Sequence, residues 1–348
     1  MKALVFNGPK DIRYESFPDP TLKTDNSVIL KVEKCSICGS DLHMYHGDNI
    51  GSDDYSKGVD KFCVGHEFIG EIVECGPSVH SFKIGDRVLA SGGTGCGTCQ
   101  ACLTGQHLKC AQATAFGLSA DMHGGQAEFV NVPNADQALH IIPDGISDEQ
   151  ALLLTDAMVT ASFGVSRLTF KQGDSVAVVG LGPIGIIGVE LAFALGASKV
   201  FAIDPIKARR EKAKTLGAQV FEPGSETHKA IISQTRGGVH GVFEASGVKA
   251  AVHSTLKIVR PGGTISCIGL PQADVLLPLN MILYKDITLR AGIAPVPELW
   301  AGLIPMLQNN RLKTDGLFSH YMPLSEGQQA YRIFDNREDD VIKIMMTL

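Results

Sequence analysis

No stretch of about 18 uninterrupted apolar residues, the length a membrane-spanning helix needs, occurs in the 348 residues. The N-terminal Met1-Lys2-Ala3-Leu4-Val5 passes at once into polar residues, without the apolar stretch and cleavage site of a secretory signal. No basic run occurs either, and a formal net charge of −6 argues against nucleic acid or an acidic membrane as partners, since both need a basic footprint. Internal repeats, low-complexity segments and a Pro/Gly/Ser linker are likewise missing. From these absences the chain is expected in the cytoplasm. That compartment keeps thiols reduced, so the nine cysteines are expected to serve metal rather than disulfides.

What is present suits a large folded protein: 44% hydrophobic residues, 20% charged, and 38 glycines for tight turns and close backbone approaches. Single cores stop growing near ~250–300 residues, so this length predicts two domains with a cleft between them. Short Val/Ile-rich runs at 28–32, 68–73 and 87–90, separated by Gly, Pro and Asp, predict a twisted, mostly antiparallel β domain over the first ~150 residues. From about residue 152, apolar strands at 175–179, 199–203, 241–243, 264–268 and 287–291 alternate with helical stretches, which predicts a Rossmann-type doubly wound parallel sheet, an α/β fold. A helix near 298–307 and a strand near 341–347 are expected to return to the first domain.

The run Ser175-Val-Ala-Val-Val179 enters Gly180-Leu-Gly182-Pro183-Ile184-Gly185 directly, and 186–195 reads as a helix. A Gly-x-Gly-x-x-Gly turn between strand and helix is built for a dinucleotide: Gly180 permits the turn, Gly182 lets backbone approach the pyrophosphate, and Gly185 allows close packing. The phosphates would sit at the helix N-terminus. The next strand ends at Asp204, whose carboxylate would accept ribose hydroxyls and repel a 2′-phosphate. NAD is therefore expected over NADP, with Arg209 and Arg210 close enough to keep NADP open.

Cys96, Cys99, Cys102 and Cys110 form a C-x2-C-x2-C-x7-C cluster in a Gly-rich loop. Four thiolates at this spacing close tetrahedrally around a structural zinc; an iron–sulfur cluster is the rival reading. Elsewhere, Cys38-Gly39-Ser40-Asp41-Leu42-His43 and Gly65-His66-Glu67 offer a thiolate and an imidazole, two of the three protein ligands that a catalytic zinc takes.

Taken together, these segments resemble the zinc-containing medium-chain dehydrogenase/reductase superfamily over essentially the whole chain. The resemblance implies a GroES-like catalytic domain, residues 1–157 and 292–348 with a zinc lobe near 92–112, and a nucleotide domain at 158–291. It implies two zinc ions per chain, the reactive one on Cys38, His66 and a third residue that in the family is often cysteine. Here that position, in Leu154-Thr155-Asp156-Ala157-Met158, is Asp156. This variant resembles the branch of NADP-linked bacterial secondary alcohol dehydrogenases and glutathione-independent formaldehyde dehydrogenases. Glu67 is a second carboxylate able to exchange onto the metal. By the same analogy Asp41 orients His66, a proton relay runs from Ser40 through the cofactor ribose to His43, and Thr160 and the Gly269-Leu270 backbone flank the nicotinamide. Lys343 is expected at the pyrophosphate, or else on the solvated surface.

The implied reaction is reversible oxidation of an alcohol to a ketone or aldehyde. A bound metal with an open position acidifies the alcohol, and hydride passes to NAD. Gly92, where the family often carries a bulky aromatic, favours a secondary alcohol, with a polyol or formaldehyde as alternatives. A zinc-free enone or quinone reductase would lack the metal ligands that this chain has. A non-catalytic protein on the same fold would not need Ser40, His43 and Thr160. The segment 48–58 is expected as an exposed loop bordering the substrate, and family habit implies a homotetramer or a dimer.

Overall fold

Strand pairing around Val28–Ser36 organises the first half of the chain. In the computed structural model, which describes residues 1–48, 55 and 60–348, this strand is buried along most of its length. It pairs antiparallel with Glu67–Cys75 along one edge, and with Phe129–Val132 and then Lys343–Thr347 along the other. Arg87–Ala90 and Leu139–Ile141 extend the sheet beyond Glu67–Cys75, and Phe318–Pro323 runs parallel to Lys343–Thr347. A three-stranded sheet of Asp11–Ser16, Lys2–Gly8 and Phe62–Cys63 packs its aromatic Phe6 and Phe62 into the same core, which also takes Phe68, Phe116 and Tyr331. The register sets Ser36 opposite Glu67, so the chain leaves this ladder at one end beside both Cys38 and His66.

The second unit is a six-stranded parallel sheet in the order Gln219–Phe221, Lys199–Ile203, Ser175–Val179, Val239–Glu244, Val259–Cys267 and Thr288–Ala291. All five residues of Ser175–Val179 are buried, as a strand covered by helices on both faces requires. The strand order reverses direction between Ser175–Val179 and Val239–Glu244, the point at which open α/β sheets bind ligands beyond their carboxyl ends.

The two compact units comprise Met1–Val159, Pro295–Asn309 and Thr314–Leu348 on one side, and Thr160–Ala294 with Asn310–Lys313 on the other. The C-terminal segments thus rejoin the first unit, but with Asn310–Lys313 remaining with the second. The helix after the glycine turn begins at Pro183, three residues earlier than the apolar pattern indicated, because proline at the first helical position gives up an amide that has no partner there. Of the segment 48–58, only Asp48 and Tyr55 lie within the described residues. No helix among the described residues is long and apolar enough to cross a membrane.

Candidate metal centres and dinucleotide site

Cys38 follows the end of strand Val28–Ser36, and His66 precedes strand Glu67–Cys75. Asp156 arrives from a different part of the unit. A capping box between Ser147 and Gln150 starts the helix Asp148–Leu154, the Trp300 indole donates to the Leu154 carbonyl at 2.9 Å, and the next helix begins at Ala157. Asp156 is held in the short break between the two helices.

The three side chains converge. Cys38 Sγ lies 3.1 Å from Asp156 Oδ2, which lies 3.6 Å from His66 Nε2. Tetrahedral zinc, with Zn–S near 2.3 Å and Zn–N or Zn–O near 2.0–2.1 Å, sets such ligand atoms about 3.4–3.6 Å apart. The donors therefore fit one ion. Glu67 also offers an oxygen, all four ligand atoms lying within 4.8 Å of one another. Burial, and then the Asp156 charge, push the Cys38 thiol up to about 11, so a cation at this point is needed to hold it as thiolate. Burial acts to lower His66, but Asp41 and Asp156 outweigh it and raise the imidazole well above its ordinary value.

Asp41, fully buried, accepts the Cys38 backbone N–H through Oδ2 at 2.9 Å and stands 3.0 Å from His66 Nδ1 through Oδ1. One carboxylate thus aligns two of the candidate ligands, of which only the His66 contact was expected. Ser40, at the start of the helix Asp41–His46, places Oγ 3.4 Å from His66 Nε2. His43, on that helix, is paired with Asp48 at 3.4 Å.

Lys343 requires a correction. It is 1% exposed, neither a surface lysine nor an ammonium turned to solvent; its Nζ sits 2.5 Å from Glu67 Oε2 and donates to the Ile37 carbonyl at 3.4 Å. The Glu67 carboxylate raises its pKa against the effect of burial. The partner it neutralises is Glu67, and the pairing of Lys343–Thr347 with Val28–Ser36 brings it there.

In the cysteine lobe, the Cys99 and Cys102 sulfurs are 3.6 Å apart, those of Cys96 and Cys102 are 3.9 Å apart, and all four ligand atoms lie within 4.8 Å of one another. Tetrahedral Zn–S bonds place sulfurs about 3.8 Å apart. This compactness suits a single ion, whereas an iron–sulfur cluster would spread its thiolates. Backbone N–H groups of Cys96 and Gln112 point at Cys110 Sγ, and that of Cys99 at Cys96 Sγ, which stabilises thiolate. Hydrogen bonds from the Thr98 backbone and hydroxyl, and then from the Cys99 backbone and the Cys110 side chain, lower the Cys96 thiol to about 6.

In the second unit Gly180 has φ of 87°, in the left-handed region, and a Cβ on Gly185 would stand 1.8 Å from the Gly180 carbonyl oxygen. Gly182 is different: among the described residues beyond its chain neighbours, only Arg209 Nη1, at 3.9 Å, comes within 4 Å of a Cβ there, so its face is open to a ligand. Pro183 and Ile184 form the first turn of the helix Pro183–Ala194. Asp204 is 4% exposed and accepts from the Leu181 N–H at 2.7 Å and the Ile206 N–H at 2.8 Å, so it braces the glycine turn. Gly269 packs on the 246–247 backbone, where a Cβ would lie 2.0 Å from Gly247 N, and Leu270 is 45% exposed. Glu244, missed in the sequence, is fully buried and accepts from the N–H groups of Ser246 and Gly247, holding the turn under Gly269. The sequence signal was a charged residue closing an apolar strand. Thr160 is half-buried on the helix Ala157–Ser166.

Residues 24–144 match the model of the alcohol dehydrogenase GroES-like domain, and residues 183–309 match that of the zinc-binding dehydrogenases. A "probable zinc-binding alcohol dehydrogenase" of Mycobacterium tuberculosis is 37% identical, with 99% of this chain and 88% of the relative covered. A sorbitol dehydrogenase of Bacillus subtilis is 31% identical over 99% of this chain and 97% of its own. The solved structure of an alcohol dehydrogenase from Thermus sp. ATN1 superposes with a TM-score of 0.91 at 33% identity, covering 100% of this chain and 99% of that one. With its metal-ligand clusters and glycine turn so arranged, the chain is an oxidoreductase belonging to the zinc-dependent medium-chain dehydrogenase/reductase superfamily, of the zinc-type alcohol and polyol dehydrogenases.

Proposed function

We propose that the protein is an NAD-linked dehydrogenase of secondary alcohols that carries two zinc ions, a reactive one on Cys38, His66 and Asp156 and a structural one on Cys96, Cys99, Cys102 and Cys110. The observation that carries this reading is the convergence of Cys38 Sγ, His66 Nε2 and Asp156 Oδ2. When bound, the reactive ion supplies Lewis acidity that favours loss of a hydroxyl proton. The chain supplies the rest. Asp41 orients His66, Ser40 Oγ offers a first proton acceptor, and His43, backed by Asp48, holds the proton on its way to solvent.

The preference for NAD is supported by Asp204. Each carboxylate oxygen already accepts one backbone N–H and has a lone pair left for a ribose hydroxyl. Arg210 is committed to the carbonyls of Asp204 and Pro205 and to Glu222, which takes it from the pool of 2′-phosphate partners. A secondary alcohol is supported by Gly92. The three atoms nearest to a Cβ there all belong to His66, the nearest at 3.4 Å, so the side of the metal ligand that a bulky residue would fill is left to a second substituent. A polyol is the second reading, favoured by the sorbitol dehydrogenase relative. Action in the cytoplasm and assembly as a homotetramer complete the proposal; light scattering on the purified protein tests the assembly.

The deciding experiment measures zinc per chain and NAD- and NADP-linked oxidation of primary alcohols, secondary alcohols, polyols and formaldehyde, for the wild type and for Asp156→Ala. Two zincs, NAD-linked turnover of secondary alcohols, and loss of one zinc with activity in the variant support it. One zinc in the wild type, kept by the variant, overturns the reactive-metal assignment.

A further inference from the structure

We propose that Gln126 is a positioning residue for the reactive metal, a buried strut that fixes the separation between the segment carrying Cys38 and the segment carrying His66. The inference rests on reading Cys38, His66 and Asp156 as metal ligands. Gln126 is fully buried. Its Nε2 donates to the Ser36 carbonyl at 2.9 Å, two residues before Cys38, and its Oε1 accepts from the Tyr331 hydroxyl at 3.0 Å. Both ends of the amide are therefore occupied, and the two contacts fix which end is oxygen.

Its stem meets the second segment. Gly65, immediately before His66, has φ of 90°, and a Cβ there would lie 2.4 Å from Gln126 Cγ, 2.6 Å from Cδ and 2.7 Å from Nε2. The side chain thus lies directly against the backbone that turns into His66. Its own main chain is pinned, the N–H donating to the Val64 carbonyl at 3.0 Å and the carbonyl accepting from the Leu4 N–H at 2.8 Å. Tyr331, itself fully buried, closes the arrangement from the helix Gly327–Asn336. Neither hydrogen bond of the Gln126 side-chain amide goes to a metal-ligand side chain. The residue acts on the backbones that deliver two such ligands, and a tetrahedral ion tolerates only a small error in that spacing.

Leucine at this position keeps an apolar stem but removes the amide's bonds to the Ser36 carbonyl and the Tyr331 hydroxyl. The segments that carry Cys38 and His66 then lose their tie, whereas the hydrogen bonds within the cysteine lobe do not involve Gln126. The effect is to be read on the two zincs of one molecule. Holoenzyme is exposed to excess pyridine-2,6-dicarboxylate, and the zinc left on the protein is followed with time for wild type, Gln126→Leu and Tyr331→Phe. The reactive zinc is identified as the one missing from Asp156→Ala.

Gln126→Leu is expected to release the reactive zinc about tenfold faster, in the range found when groups supporting metal ligands are removed, with the lobe zinc leaving at the wild-type rate. Tyr331→Phe, which keeps the contact to Ser36, is expected to accelerate the same zinc by a smaller factor. Release of the reactive zinc at the wild-type rate, or joint acceleration of both zincs, overturns the proposal and leaves Gln126 a general core residue. Should Gln126→Leu not fold, the same readout on Tyr331→Phe decides between these outcomes. A wild type that holds a single zinc, retained in Asp156→Ala, removes the metal reading underneath and the inference with it.

Discussion

Asp41 Oδ1 stands 3.0 Å from Nδ1 of His66, and the opposite oxygen of the same carboxylate accepts the Cys38 N–H at 2.9 Å. Two candidate metal ligands, one just after strand Val28–Ser36 and one just before strand Glu67–Cys75, are thereby aligned by one buried side chain. Asp41→Ala removes both contacts, and partners of this kind are worth about 10–100-fold in metal affinity. The expected outcome, measured as zinc retained after dialysis against a chelator, is loss of one zinc per chain with the four-cysteine zinc unchanged. Asp41→Asn, which keeps an acceptor for the Cys38 N–H, is expected to fall between the two.

The ion pair of Glu67 and Lys343 invites a different test, because both side chains are at most 1% exposed. Removing one member of such a pair leaves a buried charge uncompensated and costs about 3–5 kcal/mol, whereas replacing both is often close to neutral. Lys343→Met should therefore be markedly destabilised in urea or thermal unfolding, and Glu67→Gln with Lys343→Met should recover most of the loss. If the single and double variants are equally unstable, the ammonium contributes by packing and not by charge.

Legibility in the sequence followed the distance over which each contact acts. The cysteine lobe and the glycine turn were readable because their ligands and close approaches lie within about one loop, where spacing is geometry. The strands 175–179 and 199–203 were readable to the residue, since burial on both faces leaves the apolar runs 176–179 and 200–203 after a polar first residue. Lys343 was misplaced because its partner is set by the pairing of a C-terminal strand with Val28–Ser36, which no local pattern announces. Gln126 was invisible for a related reason: an uncharged amide gains its role only when Ser36, Gly65 and Tyr331 are folded around it. Asp204 was singled out for its charge, but its service to the Leu181 and Ile206 amides was not foreseen.

The glycine turn separates packing from binding. An added Cβ at Gly185 meets the Gly180 carbonyl at 1.8 Å, so Gly185→Ala must shift backbone, and overpacking of this kind costs about 1–3 kcal/mol. At Gly182 the backbone has φ of −65° and the space is open, so Gly182→Ala should change stability by less than about 1 kcal/mol. A methyl group there would occupy the approach of a pyrophosphate. Thermal unfolding and titration with NADH should therefore split the pair, Gly185→Ala losing melting temperature and Gly182→Ala losing affinity at an unchanged melting temperature. An unaltered NADH affinity in Gly182→Ala would place the dinucleotide elsewhere.

Asp335 ties the helix that carries His43 to the C-terminal part of the unit through His46 Nε2 at 2.6 Å, and also binds Lys10 Nζ, from the turn between the first two strands, at 2.6 Å. Its partial burial acts to raise its pKa, but hydrogen bonds from Lys10 and His46 outweigh that and lower it below the ordinary carboxylate value. A carboxylate whose pKa falls on folding stabilises the folded state at every pH above its unfolded value, about 3.9, and that contribution disappears as the pH drops through the lower folded value. Asp335→Asn should therefore melt below the wild type at neutral pH, by a margin on the order of 1 kcal/mol for a partly screened carboxylate whose lysine partner is exposed. As the pH falls from about 4 through the lower folded value the two melting curves should converge, because the wild type then loses by protonation what the variant lost by substitution. A gap that persists unchanged into that acid range would mean that Asp335 acts by shape, as an acceptor for Lys10 and His46, and not through its charge.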